Sequence, residues 1–121
     1  MMIDLFVYGS LKQGGRANHM LYGHSYVGKK STVFADYELR QVDWFPAMIA
    51  GDYIVEGEHY QISEELLPIL DAYESTMFKR VEIPIGPSND IVYAITYMWD
   101  DYLLPPANGI VTNHDTQEWK M

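Results

Sequence analysis

The chain contains no cysteine. Disulfides, thiol nucleophiles and thiolate metal sites are therefore excluded. Cations are also scarce: 8 Lys and Arg stand against 17 Asp and Glu, for a net charge of −9. Nucleic acid and anionic membrane surfaces are poor partners for such a chain. No apolar run approaches the ~18 residues of a membrane span. The first residues lack a basic segment leading into a long apolar stretch, so no signal peptide is expected and the expected compartment is the cytoplasm. The four histidines, His19, His24, His59 and His114, do not show His-x-x-x-His or a similar ligand spacing. They read as surface or hydrogen-bonded structural groups, and no metal is expected.

What the chain does have is enough apolar material for one core: 121 residues, 48% hydrophobic. That length fits a single domain. Charge is unevenly placed. Residues 1–35 hold four cations, Lys12, Arg16, Lys29 and Lys30, against one carboxylate, Asp4. The remainder is strongly acidic. Either this is ordinary surface solvation, or it makes a local positive potential suited to a small carboxylate-bearing ligand.

Ile3–Tyr8 is a nearly continuous apolar run and reads as a buried strand. It stops abruptly at Tyr8-Gly9-Ser10. A glycine there lets a ligand approach the backbone, and consecutive N–H groups of such a turn can face an anion or a developing oxyanion. Ser10 itself lacks the Gly-x-Ser-x-Gly setting of a nucleophile. One or two helical turns are expected over Ala17–Tyr22, closed by Gly23. Ser31–Phe34 and Tyr37–Val42 read as strands, and Trp44-Phe45-Pro46 as a turn. Tyr53–Ile62 is the longest strand, with Gly57 marking a bulge or a close backbone approach.

Ser63-Glu64-Glu65 resembles a helix start, with Leu66, Leu67, Leu70 and Tyr73 on one apolar face. Pro68 fits poorly inside a helix capped by Ser63, so the helix proper starts either there or near Leu67. Its end falls at Tyr73–Ser75. Arg80–Ile85 and Ile91–Trp99 form a last hairpin through Gly86-Pro87-Ser88-Asn89-Asp90. Residues 1–104 are expected to form the domain and 105–121 an irregular tail. About six strands with one clear helix do not alternate as a doubly wound sheet requires. The expected fold is α+β: a small, mixed but mostly antiparallel six-stranded β-barrel with short flanking helices.

Glu74 closes the helix in Leu70-Asp71-Ala72-Tyr73-Glu74. The negative end of the helix dipole and burial among Tyr73, Met77 and Phe78 would both raise its pKa toward the range of a general base. Pairing with Lys79 or Arg80 would offset this, and an ordinary exposed Glu is the alternative.

Several blocks occur in an order that resembles the gamma-glutamylcyclotransferase-like family, within it the gamma-glutamylamine cyclotransferase branch. Val7-Tyr8-Gly9-Ser10-Leu11-Lys12, with Gly14 and Asn18, is similar to its opening motif. Phe45-Pro46-Ala47-Met48 is similar to its aromatic-Pro block, and Val55-Glu56-Gly57-Glu58-His59-Tyr60 to its Val-x-Gly-Glu-Val-Tyr. Leu70–Glu74 with Phe78 and Arg80, and Ala94-Ile95-Thr96-Tyr97, complete the set over residues 3–99. The resemblance implies Glu74 as catalytic base and a substrate-binding loop at Tyr8, Gly9, Ser10 and Leu11. Asn18, Pro46, Phe78 and Tyr97 are expected around the substrate. Asn18 could instead tie the loop, and Tyr97 could instead serve the core.

The implied reaction closes a γ-glutamyl group to 5-oxoproline and releases an amine or amino acid, with no cofactor. The implied partner is a small γ-glutamyl compound, and the protein is expected to be a monomer or weak homodimer. The alternative function is a non-catalytic domain holding a small carboxylate or peptide end in the same pocket. Phe78 and His59 depart from the usual Tyr and Val, which leaves substrate identity open.

Overall fold

The computed structural model describes residues 1–42, 44–100, 103, 104, 106, 108, 109 and 116–120. Strand β1 (Met2–Val7) is the central strand of the larger sheet. Its residues alternate between two cores: Leu5 and Val7 join one, Phe6 the other. A strand buried on both faces reads as a continuous apolar run, which is why it was legible.

β1 pairs antiparallel with β5 (Ile54–Ser63) and parallel with β7 (Val92–Trp99). β2 (Ser25–Ser31) adds to the far side of β5, and β6 (Phe78–Ile85) to β7. The two edges then meet. Gly86 N–H donates to Ser31 O at 2.8 Å, Val33 N–H to Pro84 O at 3.3 Å, and Thr32 bridges Ile85. The sheet thus curls onto itself at one end, as a barrel-like fold requires. β9 (Thr116–Gln117) pairs parallel with β5 and brings this sheet to six strands. A second sheet of β3 (Tyr37–Val42), β4 (Phe45–Ala50) and β8 (Asn108–Gly109) packs beside it. The α+β, mostly antiparallel fold class is borne out.

Two local expectations change, and for the helix the second of the two expected starts is the one found. The strand expected at Ser31–Phe34 lies earlier, as β2. Its sequence, Ser-Tyr-Val-Gly-Lys-Lys-Ser, is largely exposed and carries no apolar alternation, so its hydrogen bonds to β5 define it instead. Trp44-Phe45-Pro46 is not simply a turn, because β4 begins at Phe45 and includes Pro46, paired with Gln41. A proline is compatible with this position because β4 is an edge strand. The helix α1 spans Leu67–Glu74, with Pro68 in its first turn and a 3₁₀ turn over Glu64–Leu66 before it. Proline is accepted there because the first turn's N–H groups have no intrahelical acceptor.

Gly57 marks a close approach. A Cβ on it would stand 2.4 Å from Val7 O and 2.7 Å from the Phe6 ring. The other expected short helix is a 3₁₀ segment, Asn18–Leu21. Within the expected tail, residues 105, 107, 110–115 (with His114) and 121 lie outside the described residues. The described part is packed on the body: Gln117 is buried and accepts from Leu39 N–H at 2.5 Å, and Trp119 packs against the second core.

Candidate active site

β1 ends by delivering Tyr8 and the Gly9–Lys12 turn to one end of the sheet. Lys12 N–H donates to Gly9 O at 3.0 Å and Ala17 N–H to Ser10 O at 3.0 Å. Asn18 Nδ2 donates to Leu11 O at 2.8 Å and to Tyr60 OH at 3.1 Å. Asn18 therefore ties the loop from behind. Gly9 lies against Pro46, where a Cβ would come within 2.7 Å of the ring. Among the described residues, the N–H groups of Gly9, Ser10 and Leu11 meet no acceptor.

The loop forms one wall of a cavity of about 200 Å³. Its lining includes Tyr8, Gly9, Ser10, Leu11, Pro46, Glu74, Phe78 and Tyr97. Eight of the nine residues singled out from the sequence thus share one concavity, although they come from the loop after β1, from β4, α1, β6 and β7. Asn18 is the exception. Trp44, Tyr73 and Ser75 also line it and had not been singled out as site residues. Tyr73 adjoins Glu74 in the quoted block, a usable signal. Trp44 had been seen only as an apolar turn residue. Serine at position 75 carries no sequence signal for the backbone it adopts, φ 65° and ψ −170°.

Glu74 has no hydrogen bond or ion pair among the described residues. Arg80 turns to Asp71, 3.7 Å away, rather than to Glu74. Burial without a partner raises the Glu74 carboxyl from 4.5 to about 7. The tyrosines around it are committed elsewhere. Tyr8 OH donates to Tyr97 O at 2.6 Å and accepts from Met48 N–H at 3.1 Å. Tyr97 OH donates to Asp71 Oδ1 at 2.6 Å. Burial pushes both phenols well above their ordinary value; Glu74's charge adds to this for Tyr8, and Asp71 and Glu74 for Tyr97.

His59 lies away from the cavity. It is buried, with Nε2 at 2.8 Å from Asp4 Oδ1. No group of three or more His, Asp or Glu side chains suited to a metal occurs among the described residues. Nor is any described helix long and apolar enough to cross a membrane.

A largely desolvated carboxylate with no partner among the described residues thus shares one small cavity with a glycine turn. The family described as "Gamma-glutamyl cyclotransferase, AIG2-like" matches residues 5–121. The chain belongs to that family, a family of enzymes, which bears out the resemblance read from the motifs. It is 28% identical, over 84% of its length and 71% of the relative's, to the gamma-L-glutamyl-butirosin B gamma-glutamyl cyclotransferase of Niallia circulans. It is 26% identical to the mouse gamma-glutamylaminecyclotransferase, over 84% of this chain and 80% of that one. In three dimensions it is similar to an AIG2-like protein from mouse, with a TM-score of 0.72 at 22% identity, covering 99% of this chain and 97% of the other.

Proposed function

We propose that this cavity catalyses γ-glutamyl cyclotransfer on a small γ-glutamyl amine or amide, with Glu74 as general acid and base. The observation that carries the reading is the unpaired Glu74 carboxyl, raised to about 7, in one small cavity with the N–H groups of Gly9, Ser10 and Leu11. The substrate's α-amino nitrogen attacks its own γ-carbonyl carbon. Glu74 takes a proton from that nitrogen, and the carbonyl oxygen gains charge beside the Gly9–Leu11 turn. As the tetrahedral centre collapses, the bond to the departing amine breaks and Glu74 returns the proton to it. The products are 5-oxoproline and a free amine, and the protons balance without any other reactant.

The nucleophile is tethered to its target, so the cavity's main task is to fold the substrate into attacking geometry. Pro46, Phe78 and the ring of Tyr97 supply apolar walls for this; Asn18 holds the loop in place. The chemistry calls for no metal or cofactor.

The test is 5-oxoproline release from a panel of γ-glutamyl amines and dipeptides. Glu74→Gln is expected to lower turnover by at least about 10²-fold, the scale of losing a general base. Equal rates in both proteins would remove Glu74 from the mechanism. Tight 5-oxoproline binding without turnover of any substrate would identify a binding domain instead.

A further inference from the structure

Beside the cavity, stacked on one of its lining residues, stands a cation that the proposed chemistry leaves without a task. Arg16 sits in the loop beyond Ser10, with its guanidinium carbon 4.2 Å from the centroid of the Trp44 ring. Trp44 lines the cavity and is 50% exposed, so this pair stands at the rim. Two other cations are engaged: Lys12 Nζ donates to Trp119 O at 2.8 Å, and Arg80 faces Asp71. Among the described residues no carboxylate lies within ion-pair distance of Arg16. In a chain of net charge −9, an arginine beside the cavity with no ion-pair partner among the described residues stands out. Stacking uses one face of the guanidinium and leaves its N–H edge free to grip a carboxylate with two hydrogen bonds.

Substrate geometry decides which carboxylate. The α-amino group must reach Glu74, and the α-carboxylate shares a carbon with that amine, so both belong to the Glu74 end. The departing half extends toward the rim. On the reading that this site performs γ-glutamyl cyclotransfer, we propose that Arg16, held on Trp44, binds a carboxylate of the departing amine. The preferred substrates are then γ-glutamyl amino acids or peptides rather than γ-glutamyl derivatives of amines that lack a carboxylate.

A matched pair tests this: γ-glutamyl-alanine and γ-glutamyl-ethylamide differ only by the carboxylate on the departing amine. The readout is the ratio of their kcat/KM values, dipeptide over ethylamide. The ratio is expected to exceed about tenfold in the wild type and to fall by about tenfold or more in Arg16→Gln, the scale of one charge-assisted contact, mainly through KM. It is also expected to shrink with added salt in the wild type, a measurement that needs no variant. A wild-type ratio near one, a ratio indifferent to salt, or an equal loss on both substrates in Arg16→Gln overturns the assignment. Release of 5-oxoproline from the ethylamide in any of those cases leaves the cyclotransfer reading standing. No release from either compound overturns both.

Discussion

Ser10 Oγ and the Tyr73 hydroxyl stand 2.7 Å apart, joining the loop after β1 to the last turn of α1 across 63 residues of sequence. Glu74 is the next residue, so this bond sets the spacing between the proposed base and the proposed anion-binding turn. Tyr73→Phe and Ser10→Ala are each expected to lower kcat/KM severalfold, while stability changes by only about 1 kcal/mol because the pair is exposed. The double variant should be no worse than either single one. Fully additive losses in that double-mutant cycle would show that the bond does not couple the two elements.

Glu74 makes activity and stability respond oppositely to pH. If the free enzyme needs the carboxylate, kcat/KM rises through about pH 7 and then levels, and Glu74→Asp should move that limb. Stability has the reverse sign. The folded-state pKa is raised from 4.5 to about 7, so the charged form is disfavoured by folding. The penalty is absent below pH 4.5, grows as pH rises to about 7, and reaches up to about 3 kcal/mol above it. Glu74→Gln should therefore match the wild type in denaturant midpoint at about pH 4 and exceed it at about pH 8. A difference that does not change with pH would refute the shift.

Tyr8 invites a catalytic reading that its hydrogen bonds argue against. Its hydroxyl already donates to Tyr97 O and accepts from Met48 N–H. Tyr8→Phe removes both of these bonds to buried backbone groups and should cost about 1–3 kcal/mol in unfolding experiments. Turnover should stay within severalfold of wild type. A large loss of kcat in a protein of unchanged stability would assign the hydroxyl to the substrate instead.

Ser75 holds φ 65° and ψ −170°, a region nearly confined to glycine, directly after Glu74. Ser75→Gly removes that strain and is expected to raise Tm by a few degrees, since the relief of about 1–3 kcal/mol exceeds glycine's entropic cost. If the strain aims Glu74 into the cavity, kcat falls as Tm rises. A lower Tm would mean that the Ser75 hydroxyl, which accepts from Met77 N–H at 3.4 Å, matters more than the backbone.

The elements legible in the sequence were those whose burial wrote a pattern. β1, β5 and β7 are lined with core residues, and α1 shows its apolar face through Leu67 and Leu70. β2 and the short strands β8 and β9 were not legible. β2 is mostly exposed, and two-residue strands exist only through their partners' hydrogen bonds. The register that brings β4's Pro46 against Gly9 was likewise invisible, since it depends on contacts between residues far apart in the chain.

The sequence by itself determined the class of fold, the absence of thiol chemistry and the two pieces of the candidate site, a glycine turn after a buried strand and a carboxylate at a helix end. Those depend on local composition, periodicity and covalent chemistry, which a linear reading carries. Only the tertiary structure decided that Glu74 has no partner among the described residues while Arg80 serves Asp71, that Tyr8 is fully engaged, and that Arg16 rests on Trp44. Each of these depends on which side chain reaches which within a few ångströms. That is settled by how α1 and the β3–β4 turn pack around the end of β1, not by the order of residues along the chain.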